Sequence, residues 1–265
     1  MIINKRFNGF TDEHFQTVRD EADFGLTSIW EIYDEPLMWE WEGHRAALFI
    51  PKRICAPEKE VRTIGVWMSG GADSSLTTWL LCKYIKDHNL PIKVLPTSVR
   101  RGRPNNPIYA GNVIDFIQED LQFELEPHIV YYPPKNDPHQ LEIQEFEDRN
   151  VEHFEKDMIQ INYSGITSNP PVDDITIERN KERTRDLEKI KPIMYEAPNR
   201  AFIECFSNVN KKFMAMLYAE YNLTDRLYPI TYSCEGTVED NKWYTRHCGK
   251  CWWCKERVWA FGRII

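Results

Sequence analysis

The sequence predicts an α/β fold in which a mostly parallel sheet carries helices on both faces, with an N-terminal extension before it and a cysteine-rich region after it. Three observations predict this. Short apolar runs alternate with helix-period segments from Val61 onward, a Ser/Gly turn stands between the first such run and the first helix, and four of the seven cysteines fall within 21 residues near the C-terminus. Strands separated by helices are joined by crossovers, and crossovers place strands parallel, with the helices covering the faces.

Taken in order, residues 1–60 are rich in aromatics (Trp30, Tyr33, Trp39, Trp41, Phe49) and end in the strand-like run Ala46 to Ile50, closed by Pro51. They are expected to form a small extension packed on the main body, with Pro57, Glu58 and Lys59 as a polar hinge. Ile64 to Met68 is predicted as a strand, Ser69 to Ser75 as a turn, and Leu76 to Tyr84 as a helix ending near Asn89. A strand over Ile92 to Leu95, a helix over Pro107 to Leu121 and a strand over His128 to Tyr132 continue the alternation. A helix is expected over Leu141 to Ile159, burying Ile143, Phe146, Phe154 and Met158 and turning Glu142, Glu145, Glu152, Glu155 and Asp157 to solvent. The segment Tyr163 to Pro171, YSGITSNPP, is a loop placed where ligand-binding loops sit in such sheets. Residues 173–200 show no regular pattern, and Ser207 is predicted to cap a helix over Asn208 to Tyr221 that packs through Phe213, Met216 and Leu217. Lys211 and Lys212 in that helix could serve an anion, although solvent exposure is expected for at least one of them.

Composition excludes several functions. The chain has 265 residues, a net charge of -8, 42% hydrophobic and 13% aromatic residues, so it can bury a substantial core and is not a disordered chain. The acidic balance argues against a general grip on nucleic acid, which requires clustered Lys and Arg. No stretch approaches the roughly 20 apolar residues of a membrane span, and the N-terminus lacks a signal-like apolar run. The expectation is a cytoplasmic protein with no membrane partner, in which cysteines serve as thiols or metal ligands rather than as a disulfide framework. A homodimer is compatible with this composition.

The turn Ser69, Gly70, Gly71, Ala72, Asp73, Ser74, Ser75 carries the first chemical signal. Adjacent glycines let backbone N–H groups converge on an anion, Ser69 and Ser74 add hydroxyls, and the helix N-terminus adds a favourable dipole. The pattern suits a pyrophosphate group. Asp73 would repel that anion directly, so its useful role is to hold Mg²⁺; its plain structural role would be that of an acidic residue at a helix start. Neither GxxxxGK[ST] nor GxGxxG is present, so this is not a Walker A loop or a dinucleotide fingerprint.

The second signal is Cys234 followed by Cys248, Cys251 and Cys254, two successive CxxC steps with a fourth thiol 14 positions upstream. This set suits tetrahedral Zn²⁺, and four sulfurs would leave no open position, making the ion structural. His247 is a substitute ligand only if one cysteine points away. A redox CxxC and an iron–sulfur centre are the competing readings. Trp252 and Trp253 have packing against the knuckle available as their role.

The turn resembles the SGGxDS loop of the N-type ATP pyrophosphatases, or PP-loop family, matched by Ser69, Gly70, Gly71, Asp73 and Ser74. With the cysteine cluster, the chain is similar to the 7-cyano-7-deazaguanine synthases of that family, whose ending CGxCxxCxxRxxAF is matched by Cys248, Gly249, Cys251, Cys254, Arg257, Ala260 and Phe261 after Ser233 and Cys234. The resemblance covers roughly residues 61–265 and leaves the first 60 outside. It departs in the middle, where a YGQRH-like loop is replaced by TSVRRGRPNN from Thr97 to Asn106, and in the longer spacer between Cys234 and Cys248.

The resemblance implies a Rossmann-like ATP pyrophosphatase domain over residues 61–233 and a four-cysteine zinc-binding region over 234–265. It implies ATP, Mg²⁺ and Zn²⁺ as cofactors, with a deazapurine and ammonia as the small-molecule partners. The implied reaction adenylates 7-carboxy-7-deazaguanine, admits ammonia to give an amide, and activates the amide oxygen with a second ATP to give the nitrile. Ser69 to Ser75 would bind the nucleotide phosphates and Asp73 the Mg²⁺. Arg101 and Arg103, in the basic group that also includes Arg100, are the catalytic candidates for a phosphate or an acceptor carboxylate; Lys191, Arg200 and Lys211 are further candidates. Three alternatives stand beside this reading: a related PP-loop enzyme that amidates or thiolates another base or nucleoside; a tRNA-modifying sulfurtransferase, which would call for a basic docking face and a reactive cysteine that the sequence does not clearly show; and a nonenzymatic zinc-containing interaction protein.

Overall fold

The computed structural model describes residues 33–54, 59–100, 106–132, 148–171, 174–175, 193–197, 200–237, 239–243 and 245–265. Among these, β1 (Leu37–Trp41) and β2 (His44–Leu48) form a hairpin, and β3 (Arg53–Ile54) pairs with β4 (Lys59–Glu60). The main sheet contains β5 (Thr63–Trp67), β6 (Lys93–Val99), β7 (Ile129–Tyr131), β8 (Ile161–Tyr163), β9 (Ile193–Ala197) and β10 (Arg200–Glu204). Helices α1 (Ala72–Asp87), α2 (Asn106–Leu121), α3 (Lys211–Glu220) and α4 (Trp252–Phe261) complete the regular elements, with a further helical stretch at 148–155 and a short 3-10 helix at Tyr228–Ile230.

The strand order is β7-β6-β5-β8-β10-β9. Five of these strands run parallel, and β9 is an antiparallel edge on β10. Starting from β5, the chain winds outward through β6 and β7 and then returns to place β8 on the other side of β5. That reversal opens a crevice at the carboxyl ends of β5 and β8, the position where open α/β sheets bind ligands. The fold is a Rossmann-like α/β sheet. The irregular segment from 173 to 200 supplies β9, and β10 begins at its end, so part of it is sheet where the sequence pattern carried no signal.

Alternation along the strands explains the two faces. Ile64 and Val66 of β5, Val94 of β6, Ile161 and Tyr163 of β8 and Ile203 of β10 join one large core with Leu76, Leu80 and Tyr84 of α1, Val113 and Ile117 of α2, and Phe213 and Leu217 of α3. The opposite face packs Leu95 and Ile159 with Phe154 of the 148–155 helix, whose ring meets Phe202 edge-on at 5.5 Å. Helices therefore cover both faces. Gly65 faces this second side, where a side chain would meet Asn162 and Ile159 at under 3 Å.

The hairpin turn puts Glu42 and Gly43 at φ +48° and +78°, as a two-residue turn with both centres left-handed requires. Its strands do not stand apart. Trp39, Ala46 and Leu48 belong to the large core, and Asn208 donates to the Arg45 carbonyl at 2.7 Å. Asn210, rather than Ser207, caps α3, accepting from the N–H groups of Lys212 and Phe213. Ser207 instead turns back on the Glu204 carbonyl in the tight bend after β10. Among the described residues, no helix is long and apolar enough to cross a membrane.

Candidate functional site: a glycine-rich turn against a four-cysteine centre

The glycine-rich turn leaves β5 at its carboxyl end and enters α1, so the sheet topology carries it to the crevice. Gly70 has φ +73°, and a Cβ there would lie 2.7 Å from Tyr109 Cβ and 2.9 Å from the Ala110 nitrogen. Only glycine meets both demands. The turn is braced by its own serines: Ser69 and Ser74 hydroxyls lie 3.1 Å apart, and Ser74 and Ser75 both donate to the Gly71 carbonyl. Gly71 is the N-cap and has no side chain to occupy the first-turn N–H groups of α1. Ala72 is anchored from the far side, where the buried Tyr218 donates to its carbonyl at 2.8 Å.

Asp73 stands in that first turn, with 13% of its side chain exposed. Its Oδ2 faces the Lys211 ammonium at 3.1 Å and accepts from the Thr167 hydroxyl at 3.4 Å. Its Oδ1 is buried without a hydrogen-bond partner. Thr167 comes from the YSGITSNPP loop after β8, and this loop closes tightly on the turn: a Cβ on Gly165 would fall 2.4 Å from Ser74 nitrogen and Cα. The sequence marked this loop as ligand-lining but singled out neither residue; Gly165 following a strand was the available signal. Lys211 is almost fully buried and is also paired with Glu256, while Lys212 lies over the Trp259 ring at 4.5 Å. Neither is a freely solvated lysine.

The four cysteine sulfurs converge. The Sγ atoms of Cys234, Cys248, Cys251 and Cys254 all lie within 4.8 Å of one another, and those of Cys248 and Cys254 are 3.8 Å apart. An ion with four sulfurs about 2.3 Å away at tetrahedral corners sets them about 3.8 Å apart, so the donor set fits a chelated metal. Cys234 Sγ accepts from the N–H groups of Gly236 and Cys248, and Cys248 Sγ from those of Lys250 and Cys251. These donors favour thiolates. Gly236 is required here, since a Cβ would meet Cys248 Sγ at 2.7 Å, and Gly249 at φ +73° makes the tight step between Cys248 and Cys251. Hydrogen bonding from Cys251, then Cys254, holds the Cys234 thiol well below its ordinary range, while the same contact pushes Cys251 up to about 11. Four crowded thiols cannot all ionise without a cation among them.

His247 is not a ligand in this arrangement. Its Nδ1 bonds the Ile265 carbonyl, its Nε2 accepts weakly from the Ser233 N–H, and burial holds its pKa down to about 4. Among the described cysteines none is in a disulfide, and Cys82 and Cys205 are buried thiols pushed upward by desolvation. Trp252 and Trp253 pack edge-on at 5.7 Å.

Turn and cysteine centre share a wall. The Tyr232 N–H donates to the Gly70 carbonyl at 2.7 Å, and the Tyr232 ring stacks on Tyr109 at 4.5 Å, two residues before Cys234. Arg257, fully buried, donates to Thr231 and Ser233 hydroxyls and lies over the Tyr228 ring at 4.2 Å. It clamps the irregular segment leading to Cys234 against α4. Ser233 also faces Gly71, where a Cβ would meet its hydroxyl at 3.3 Å.

Arg101, Arg103 and Lys191 lie outside the described residues, as does Cys55. Arg100 sits at the end of β6 with its guanidinium 5.9 Å from the Tyr132 ring, and Arg200 opens β10 opposite Ala197. The structure thus brings Ser69 to Ser75 and Lys211 together, and gathers the four cysteines beside them. Compared with known proteins, the chain matches no protein-family model and no curated protein.

Proposed function

We propose that this chain is an ATP-dependent adenylating enzyme of the PP-loop type, which splits ATP between the α and β phosphates and passes an activated base or nucleoside to a nitrogen or sulfur nucleophile. The observation that carries this reading is Asp73. A carboxylate oxygen left buried and unpartnered beside open helix-start N–H groups, at the reversal point of a parallel sheet, supports a site for a polyanion and the cation that accompanies it.

In this reading the N–H groups at the turn and the start of α1 hold the departing pyrophosphate, acting where negative charge develops. Asp73 would hold Mg²⁺ through Oδ1, and the ion, when bound, supplies charge neutralisation to the phosphate oxygens. The loop from Ser164 to Pro171 closes on the turn at Gly165 and brings the Thr167 hydroxyl to Asp73, holding that carboxylate in place. The four cysteines would hold Zn²⁺ as a structural ion, fixing Ser233 and Arg257 behind the turn. Ammonia is the proposed nitrogen source, and a homodimer is the proposed assembly.

Within this class, the ending from Cys248 to Phe261 favours conversion of 7-carboxy-7-deazaguanine to 7-cyano-7-deazaguanine, with Arg101 or Arg103 meeting the acceptor carboxylate. The replaced loop Thr97 to Asn106 favours a different base or nucleoside. One experiment separates these. The purified protein is incubated with Mg-ATP, ammonium and either the carboxy-deazaguanine or other carbonyl-bearing bases and nucleosides, and AMP, pyrophosphate and product mass are measured. A nitrile product establishes the specific reading. An amide alone, or turnover only with another acceptor, establishes the broader one. Absence of AMP and pyrophosphate across the acceptors overturns both.

A further inference from the structure

Lys211 Nζ lies 3.1 Å from Asp73 Oδ2 on one side and is hydrogen-bonded to Glu256 Oε2 on the other. The lysine and glutamate side chains are 2% and 0% exposed. The three residues come from three elements: Asp73 from the first turn of α1, Lys211 from the first position of α3, and Glu256 from α4, two residues past Cys254. Their formal charges sum to -1.

A buried charge is retained only where it is paired. Lys211 and Asp73 alone would make a neutral pair, and a neutral pair beside the turn would have little attraction for a cation. Glu256 changes that balance. It shares the ammonium and leaves Asp73 engaged through a single oxygen, next to the buried Oδ1 that has no partner, so that one negative charge is left over within the triad, while the buried Arg257 guanidinium is directed to Thr231, Ser233 and Tyr228. It also anchors the ammonium on the α4 side, which limits how far Lys211 can reach toward an anion in the turn. Arg257, the next residue, holds Ser233 against Gly71, so adjacent residues of α4 brace both the charge and the backbone of the turn.

We infer that Glu256 is a positioning residue of the glycine-rich turn: through Lys211 it keeps Asp73 short of positive charge, so that the turn binds pyrophosphate together with a divalent cation rather than alone. This rests on the reading of the turn given above. The helix that carries the last cysteine ligand is then a wall of the anion site as well as part of the metal knuckle.

Glu256→Gln keeps the volume and an acceptor for Lys211 but takes the formal sum from -1 to 0. The effect on binding has two opposite signs. Pyrophosphate without divalent cation should bind more tightly, and added Mg²⁺ should help less, so the ratio of Kd without Mg²⁺ to Kd with Mg²⁺ should fall roughly tenfold. A purely structural role would weaken both forms together. The measurement is calorimetric titration of zinc-loaded, full-length protein with pyrophosphate in Mg²⁺-free and Mg²⁺-containing buffer, with zinc content and circular dichroism taken on the same samples. A folded, zinc-replete E256Q protein with the wild-type ratio overturns the inference, as does a folded, zinc-replete one in which both binding modes weaken together. If E256Q does not hold its fold, Lys211→Gln decides: it takes the sum to -2, the ratio should rise, and an unchanged ratio overturns the inference. Wild-type protein that binds no pyrophosphate in either buffer overturns the proposed function itself, and the inference with it.

Discussion

Asp73 and His153 show how the same fold treats two titratable side chains in opposite ways. Asp73 is held at the crevice with one oxygen uncommitted, so Asp73→Asn removes charge at nearly constant volume. If the carboxylate places a divalent cation, worth several kcal/mol of charge stabilisation, pyrophosphate release should fall roughly a hundredfold while circular dichroism is unchanged. Wild-type turnover by the folded variant would reject a required role. His153 is buried instead, sharing a 2.5 Å hydrogen bond with the Tyr131 hydroxyl, and desolvation holds its pKa below the ordinary imidazole value. Because the folded state prefers the neutral ring, the unfolded chain takes up more protons once the pH drops below about 6.5. The contribution is therefore present above that pH and lost as the pH falls toward the depressed folded value. The melting temperature of wild-type protein should drop more between pH 7.5 and 5.5 than that of His153→Gln. Cysteine protonation acts on both proteins and cancels in the comparison; identical drops would remove His153 from the account.

At the scale of elements, α4 and the approach to Cys234 make one assembly, in which three thiols from a knuckle meet a fourth from an irregular segment 14 residues upstream. Metal-binding free energy there becomes folding free energy, since the site does not exist in the unfolded chain. Cys251→Ser should lower metal content and melting temperature together, the latter by roughly 10 °C, with activity following the folded fraction. Elemental analysis and a melting curve on one preparation test this; a metal-free wild-type protein of undiminished stability would sink it. This assembly was legible in the sequence because CxxC spacing is local. So were β5, the turn and α1, where period and glycine placement agree with tertiary position. Lys211 was legible only as a candidate for an anion, because an amphipathic pattern treats a lysine beside another lysine as solvent-facing; its burial depends on carboxylates from two other helices. Glu256 gave no signal, being one polar residue in a CKER run whose partner lies 45 positions away. The α3 cap was misplaced for a smaller reason: Ser207 and Asn210 are both good caps, and the bend after β10 takes the serine first.

For the whole molecule, the sequence divides the chain near residue 60, and the bonds across that division bear on whether the hairpin unfolds alone. Trp39 is 2% exposed, its ring lies 5.8 Å from Phe206, and its indole N–H reaches the Tyr221 hydroxyl at 3.3 Å. Phe206 follows β10 and Tyr221 closes α3, so one side chain of the extension rests on two elements that frame the crevice. Tyr163 of β8 donates to the Phe49 carbonyl and Tyr84 of α1 to the Glu35 carbonyl, adding backbone ties on either side. An appendage that folds by itself would lose stability on its own account when truncated. A segment sharing the main core transmits the loss to all of it, because close-packed interiors relax only partly around a cavity. Trp39→Ala should cost about 3–5 kcal/mol and lower the melting temperature by roughly 10 °C. The transition should stay single, with far-UV and near-UV circular dichroism coincident. A second, low-temperature transition with the main one unmoved would instead make residues 33–50 a separately folding unit.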